Sequence, residues 1–411
     1  MTFRRAAVAF ILITVMLDVL ALGIVIPVLP KLIEGFVGGD TSQAAQILGL
    51  FMTLWALMQF FGSPIQGALS DHFGRRPVVL GSNLGLGIDY LVMALAPTLW
   101  WLLIGRVLSG LTAASFSTAT AYIADVTPPE KRAAAFGKIG AAFGFGFIIG
   151  PVLGGWLGHF DPRLPFWVAG GLSLANFCYG WFVLPESLPP EKRERFRWRR
   201  ANPVGSFKLL RTDPELFGLA SSYFLFQVAH WVLPSSFVLY SGYRYGWSTL
   251  AVGTALALIG VCNVAVQGFL VRPVVARIGE RRATILGLGC GALGLAWMGL
   301  APTGPLFLLS MPLLAATGFF GPAVQSLMTQ RVPLTEQGQL QGANASFTGI
   351  TGLFAPFMFT QVLAIGIALD DGGSATGLPF LVAASVLLMA LTIAVIVTRR
   401  HTPVPLPDTP A

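Results

Sequence analysis

The chain has 411 residues, of which 55% are hydrophobic and only 11% charged, against roughly 25% charged in ordinary soluble domains. A mean hydropathy of +0.73 excludes a soluble globular protein with a polar shell. The formal net charge of +8 would suit nucleic acid, but where the basic residues fall points elsewhere.

A helix needs about 20 apolar residues to cross a bilayer. Charge-poor stretches of that length are predicted to span at 7–29, 45–66, 78–97, 99–123, 136–158, 164–184, 214–241, 248–271, 283–301, 304–329, 339–366 and 375–398. The runs are continuously apolar and do not alternate, which rules out barrel strands as the spanning element. Twelve spans put both termini on one side, and the Lys/Arg excess makes that side cytoplasmic. One set of connections holds Arg4, Arg5, Arg75, Arg76, Lys131, Arg132, Lys138, the 192–211 cluster, Arg272, Arg277, Arg281, Arg282, Arg331, Arg399 and Arg400; the opposite set has only Lys31, Arg163 and Arg244. The basic balance is therefore topological, and no nucleic-acid partner is expected. Cys178, Cys262 and Cys290 fall within predicted spans, so no disulfide is expected, and their spacing matches no metal site.

In chain order, the first span carries Asp18 at its centre and lacks a small-residue cleavage pattern, so it reads as a retained helix and not a removable signal. Gly67–Pro77, GALSDHFGRRP, packs an acid and two arginines between apolar stretches and reads as a short aqueous loop. Asp89 lies mid-span in LGIDYLVM, Arg106 opens GRVLSGLTAAS, and Asp125 closes that fourth span. In the fifth, GFIIGPVLGG (Gly146, Gly150, Pro151, Gly154, Gly155) permits close backbone approach and places a bend at Pro151. Packing alone is the other reading of that run. His230 sits inside the seventh span; Gln59, Gln227, Asn263 and Gln267 are candidate cargo contacts or plain helix–helix contacts.

An ionisable group near the bilayer centre costs about 3 kcal/mol on insertion scales, so each one asks for a role. Every acid at membrane depth belongs to the first half. Desolvation favours a protonated carboxyl and a nearby cation favours a charged one. Arg106 with Asp18 or Asp89 is thus a candidate proton-coupling set, or else a permanent ion pair. His230 can titrate near physiological pH or serve as a fixed hydrogen-bonding group.

The longest polar interruption divides the chain into an amino-terminal bundle (1–185), a basic linker (186–213), a carboxy-terminal bundle (214–400) and a tail (401–411). The halves match at a fixed offset: Gly74 with Gly279, Gly137 with Gly342, Gly144 with Gly349 and Pro151 with Pro356, each 205 residues apart. A duplicated six-helix unit implies two bundles with a substrate cavity between them, open to each side in turn. The linker reads as a solvated strap near anionic headgroups.

GALSDHFGRRP, RVLSGLTAA and GFIIGPVLGG resemble, in order, the loop, helix 4 and helix 5 motifs of the major facilitator superfamily. LDVLALGIVIPVLP, LWALMQFFGSPIQGALSDHFGRRPV, AYIADVTPPEKRAAAFG, GPVLGGWLG, ARIGERRATILG, PAVQSLMTQRV and QGQLQGANASFTGITG make the chain similar, more narrowly, to the twelve-helix tetracycline/proton antiporter family. The resemblance implies an all-α membrane protein of twelve helices in two six-helix bundles. It further implies proton-driven efflux of amphipathic drugs across a bacterial inner membrane, by a monomer without cofactors. Tetracyclines would travel as a divalent-metal chelate, so Mg2+ would enter only with the cargo. By the same resemblance Asp18 and Asp89 match the family's intramembrane acids, and Arg106 and Asp125 its helix 4 charges. Gly67, Asp71, Gly74, Arg75 and Arg76 match its gating loop. Asp71 would meet the amino-terminal end of helix 11, and Arg75 would pair with Asp125, when the cavity faces outward; loss of these contacts would release the inward-open form. Two positions depart from the family: Asn263 replaces a helix 8 histidine, and Gly291 or a neighbour replaces a helix 9 aspartate.

Two other functions remain open on sequence: proton-coupled uptake of a metabolite, and a non-transporting membrane sensor. No HExxH or GxSxG motif appears, so an enzyme is not expected.

Overall fold

The computed structural model describes residues 2–112, 115–193, 213–333, 336–369 and 375–399; the basic stretch 194–212 and the tail 401–411 lie outside the described residues. Among the described residues every element is helical. Hydrocarbon offers no partner for a bare N–H or C=O, and a helix satisfies both within one segment.

The first six spans are α1 (Thr2–Val25) continued by α2 (Leu29–Phe36), α3 (Thr41–Phe73), α4 (Arg75–Leu95), α5 (Leu99–Thr112) with α6 (Ser115–Val126), α7 (Pro129–Phe160) and α8 (Leu164–Val183). The second set comprises α9 (Pro214–His230) with α10 (Val232–Tyr245), then α11 (Thr249–Ala265), then α12 (Val271–Leu300). It closes with α13 (Gly304–Leu309), α14 (Met311–Ala315), α15 (Phe320–Thr329), α16 (Gln337–Ala368) and α17 (Leu378–Arg399). The apolar stretch Thr249–Leu300 has 52 residues, about 78 Å at 1.5 Å per residue, against a hydrocarbon core of about 30 Å. It makes two crossings, divided at Gly279 (φ 77, ψ 162). Twelve crossings result.

The expected aqueous loop at Gly67–Pro77 is shorter than the sequence suggested. α3 continues to Phe73 and α4 begins at Arg75, leaving Gly74 (φ 108, ψ 163) as the sole non-helical residue. A polar helical turn can project beyond the hydrocarbon, so charge alone does not mark a loop. A backbone at this positive φ requires glycine. Gly279, 205 residues later, has nearly the same geometry; the repeat seen in sequence is a repeat of backbone conformation.

Within the first half α1 packs on α7 and α8, and α4 on α5 and α8; within the second, α12 packs on α15 and α17, and α9 on α16 and α17. The halves meet along two principal seams, α3 against α16 and α7 against α11. The offset that matches α7 to α16 also matches α3 to the span beginning with α11. The two seams are therefore one interface used twice.

Glycines set the spacing at the α1–α7 contact. A Cβ on Gly150 would lie 2.7 Å from the Gly23 Cα, and one on Gly154 would collide with the Ile24 carbonyl. Gly171, by contrast, has nothing within 4 Å. Gly154→Leu should therefore destabilise the protein by about 1–3 kcal/mol through overpacking, whereas Gly171→Ala should be neutral or stabilising by up to about 1 kcal/mol through helix propensity. Thermal unfolding in detergent measures both; an unchanged Tm for Gly154→Leu would disprove the packing account.

Candidate functional site: a cleft between two bundles

The halves touch only along part of each seam. Ser42 Oγ donates to the Ala364 carbonyl at 3.1 Å, and Gly49 lies against Thr360 and Phe357. Across the other seam Thr249 Oγ1 donates to the Gly155 carbonyl at 3.2 Å. Gly253 lies against the Pro151 carbonyl, and Gly260 against Ile148. All these contacts lie far from Gly74 and Gly279. Toward the Gly74 end, Gly67, Gly137, Gly140, Gly268 and Gly338 have nothing within 4 Å. The contacts across both seams seal them toward the end opposite the two glycine turns.

The helix 5 motif has two faces. Gly146, Gly150 and Gly154 meet α1, while Pro151 and Gly155 meet α11 in the other half. α7 stays helical through Pro151. One short run thus fixes a contact inside the first bundle and closes the seam to the second.

At the Gly74 end, Arg75 Nη1 donates to Asp71 Oδ1 at 2.6 Å and to Ser70 Oγ at 3.0 Å, and Arg75 Nε donates to Asp125 Oδ2 at 3.1 Å. The Arg75–Asp125 pair expected from the resemblance is present. Both partners belong to the first bundle, so separating the bundles does not stretch it. Asp71 is half exposed and pairs with Arg75 here. Arg76 Nη2 donates to the Trp181 carbonyl at 2.5 Å.

Sequence reasoning missed Glu186. Its carboxylate accepts from the backbone N–H of Arg75 (2.9 Å) and Arg76 (3.2 Å), and also from Ser187 and Leu188. An acid thereby satisfies orphan donors at the positive end of α4. Nothing in the linear spacing of 111 residues signals this.

Inside the first bundle, Asp89 is fully buried; neither carboxylate oxygen makes a well-formed hydrogen bond, with the Ser109 hydroxyl close beside it. Gly105 makes room for it: a Cβ there would lie 2.6 Å from Asp89 Oδ1. The Arg106 guanidinium acts on Asp89 electrostatically but donates to Met93 Sδ, at 3.2 Å. No hydrogen-bonded Asp89–Arg106 pair exists. Asp18 is half-buried, with Asn176 Nδ2 donating to its Oδ1 at 2.8 Å. Asn83 and Asn176 stand in the sequence as mid-span amides with no charge to mark them.

The second half presents neutral polar groups. Gln227 Nε2 donates to Thr348 Oγ1 at 2.7 Å, and Asn344 Nδ2 to Gln325 Oε1 at 2.8 Å. His230 ends α9, exposed, with its ring 5.9 Å from that of Phe226. Gln267 lies in the π-turn Val266–Leu270, against Gly318. Asn263 on α11 and Gln59 on α3 are partly exposed. Gly291, where the related pattern has an acid, leaves no space for one: a Cβ would be 2.5 Å from Thr317 Cγ2 and 2.9 Å from Leu387 Cδ1. Among the described residues no group of three or more His, Cys, Asp or Glu side chains could hold a metal ion.

Residues 11–356 match the model of the Major Facilitator Superfamily. The chain is 38% identical to the class C tetracycline resistance protein of Escherichia coli, over 94% of this chain and 95% of that protein. It is 35% identical to the class G protein of Vibrio anguillarum, over 95% and 97%. Among solved structures, the human organic anion transporter MFSD10 superposes with a TM-score of 0.68 at 23% identity, covering 95% of this chain and 99% of that one. A bacterial homologue of the human lysosomal transporter Spinster, solved inward-facing, gives 0.75 at 15% identity, covering 98% and 99%.

Gly49→Val would hold α3 and α16 apart and keep the sealed end from closing. In a chain whose native cysteines are serine, Ala364→Cys, 2% exposed, should resist a membrane-impermeant thiol reagent. Adding Gly49→Val should raise its labelling rate at least tenfold. Equal rates would refute this assignment of the seal.

Proposed function

This chain belongs to the Major Facilitator Superfamily and, within it, to the tetracycline resistance proteins, and on that premise we propose that it exports an amphipathic drug of tetracycline type in exchange for protons. It is a multi-pass membrane transporter and not an enzyme. The exporter would work in the bacterial inner membrane with both termini cytoplasmic, as a monomer, with Mg2+ entering only as part of a chelated cargo.

One observation carries the reading: Asp89, an acid wholly buried beside Arg106 and the Ser109 hydroxyl, and not hydrogen-bonded to the guanidinium. Such a carboxyl can take up and surrender a proton without first breaking a bond to the guanidinium. Arg106, held by a weak sulfur acceptor, is free to approach or leave it. Cargo would enter the cleft from the Gly74 end and rest between the acids of the first half and the amides of the second. Closing that end while the Ser42–Ala364 and Thr249–Gly155 seams part would deliver it to the opposite side. The Asp71–Arg75–Asp125 cluster would keep the α3–α4 turn rigid, so that α3 moves as a lever.

A single proton moving down 100 mV supplies about 2.3 kcal/mol, enough to sustain on the order of a 50-fold gradient of neutral cargo. A monocationic cargo exchanged for one proton would gain only from the pH difference.

In proteoliposomes with an imposed pH gradient, a drug panel including a tetracycline with and without Mg2+ should show gradient-driven movement of the chelate. Asp18→Asn and Asp89→Asn should each abolish cargo-driven proton release while leaving folding and solubilisation intact. Undiminished proton release in either variant would remove that acid from the mechanism, and indifference of every drug to the gradient would sink the exporter reading.

A further inference from the structure

Asp18 on α1 is met by amides from two other helices. Asn176 on α8, fully buried, donates through Nδ2 to Asp18 Oδ1 at 2.8 Å and to the Thr14 carbonyl at 3.0 Å. Asn83 on α4, also fully buried, can present its NH2 to both Asp18 oxygens, at 3.1 and 3.2 Å, while its own oxygen accepts from Asn176 Nδ2 at 3.2 Å.

This arrangement suits the ionised state of Asp18. An ionised carboxylate only accepts hydrogen bonds, whereas a protonated carboxyl has an O–H to donate. Thr14 Oγ1 and Asn176 Oδ1 are buried without partners, which leaves the pocket spare capacity to rearrange.

We infer that Asn83 and Asn176 are positioning residues that clamp the Asp18 carboxylate, donating to it whenever its proton has left. A fixed cation in the same place would suit the charged state alone, and an apolar wall would suit only the neutral one. The pair of amides offers uncharged donors, which steady the carboxylate without holding it ionised as a fixed cation would. The other titratable or charged groups acting in this region are Asp89 and Tyr90 on α4 and Arg106 on α5. α7 meets α1 here through the bare backbones of Gly146 and Gly150, and α8 brings Asn176.

The inference rests on Asp18 being a proton carrier, and the experiment separates the two. In proteoliposomes, two rates are compared: transport driven by a pH gradient, and tetracycline counterflow with no gradient, which needs no net proton transfer. Asn83→Leu and Asn176→Leu should each lower gradient-driven transport at least tenfold and leave counterflow within twofold of the unaltered protein. Asn83→Ala and Asn176→Ala, which cannot overpack the site, should show the same split.

Retention of gradient-driven transport in the amide variants, with its loss in Asp18→Asn, would overturn the clamp alone. Retention in Asp18→Asn as well would overturn the proton-carrier reading beneath it. Loss of both rates in the Leu and Ala variants together would assign the amides to packing and equally overturn the clamp.

Discussion

A carboxylate stripped of water is the constraint on which this structure turns. Hydration of a single charge is worth far more than any one packing contact, so a chain keeps acids at membrane depth only where the surrounding helices have been shaped to them. The first bundle shows that shaping at two sites of opposite character. Around Asp18 the helices supply amide donors from α4 and α8. Around Asp89 they supply space, through Gly105, and a guanidinium that engages Met93 in its stead. One acid is held and the other is left loose. Two acids so differently housed need not exchange protons at the same stage of a cycle, and their separation on α1 and α4 lets each respond to a different helix movement.

Much of the architecture was legible because hydrocarbon imposes simple rules. Length and hydropathy located the twelve spans, and the offset of 205 residues exposed the repeat that the matching geometry of Gly74 and Gly279 bears out. The limits of the helices were less legible, since a polar turn beyond the bilayer can stay helical: α3 runs through Asp71 and His72 to Phe73, where composition suggested a loop. Which side chains meet depends on how each helix is rotated about its axis, and hydropathy barely constrains that in a helix apolar on all sides. Hence Asp18 and Asp89 could be singled out by charge, while the approach of Asn176 to Asp18 across 158 residues of chain could not. Glu186 escaped notice for the same reason.

Gly291 shows how a departure from a familiar pattern acquires physical meaning. Sequence presented it as a missing acid. In the structure α15 and its preceding turn, with α17, close onto the bare backbone, leaving Thr317 and Leu387 within contact distance of any side chain placed there. A carboxyl placed at Gly291 would have to displace the Thr317 and Leu387 side chains. The second half has become a scaffold with neutral recognition groups, Gln227 and Thr348 among them.

This asymmetry of charge within a symmetric backbone bears on how the halves communicate. The repeat places Glu280 where the first half has Arg75, and Gln330 where it has Asp125. The first-half pair is ionic, whereas Glu280 accepts from the Ser326 hydroxyl at 3.4 Å. A charge change in the first bundle therefore has no mirrored partner in the second and cannot be answered by an equivalent titration there. It must travel through the shared seams, where backbone meets backbone at Gly253 and Pro151 and at Gly49 and Phe357. Contacts of that kind are close and stiff, with few side-chain rotamers to absorb a displacement. A tilt of α7 relative to α1 is passed to α11 as a tilt of nearly the same size. Glycine at the seams is what allows a proton bound on one side of the molecule to be felt as movement on the other.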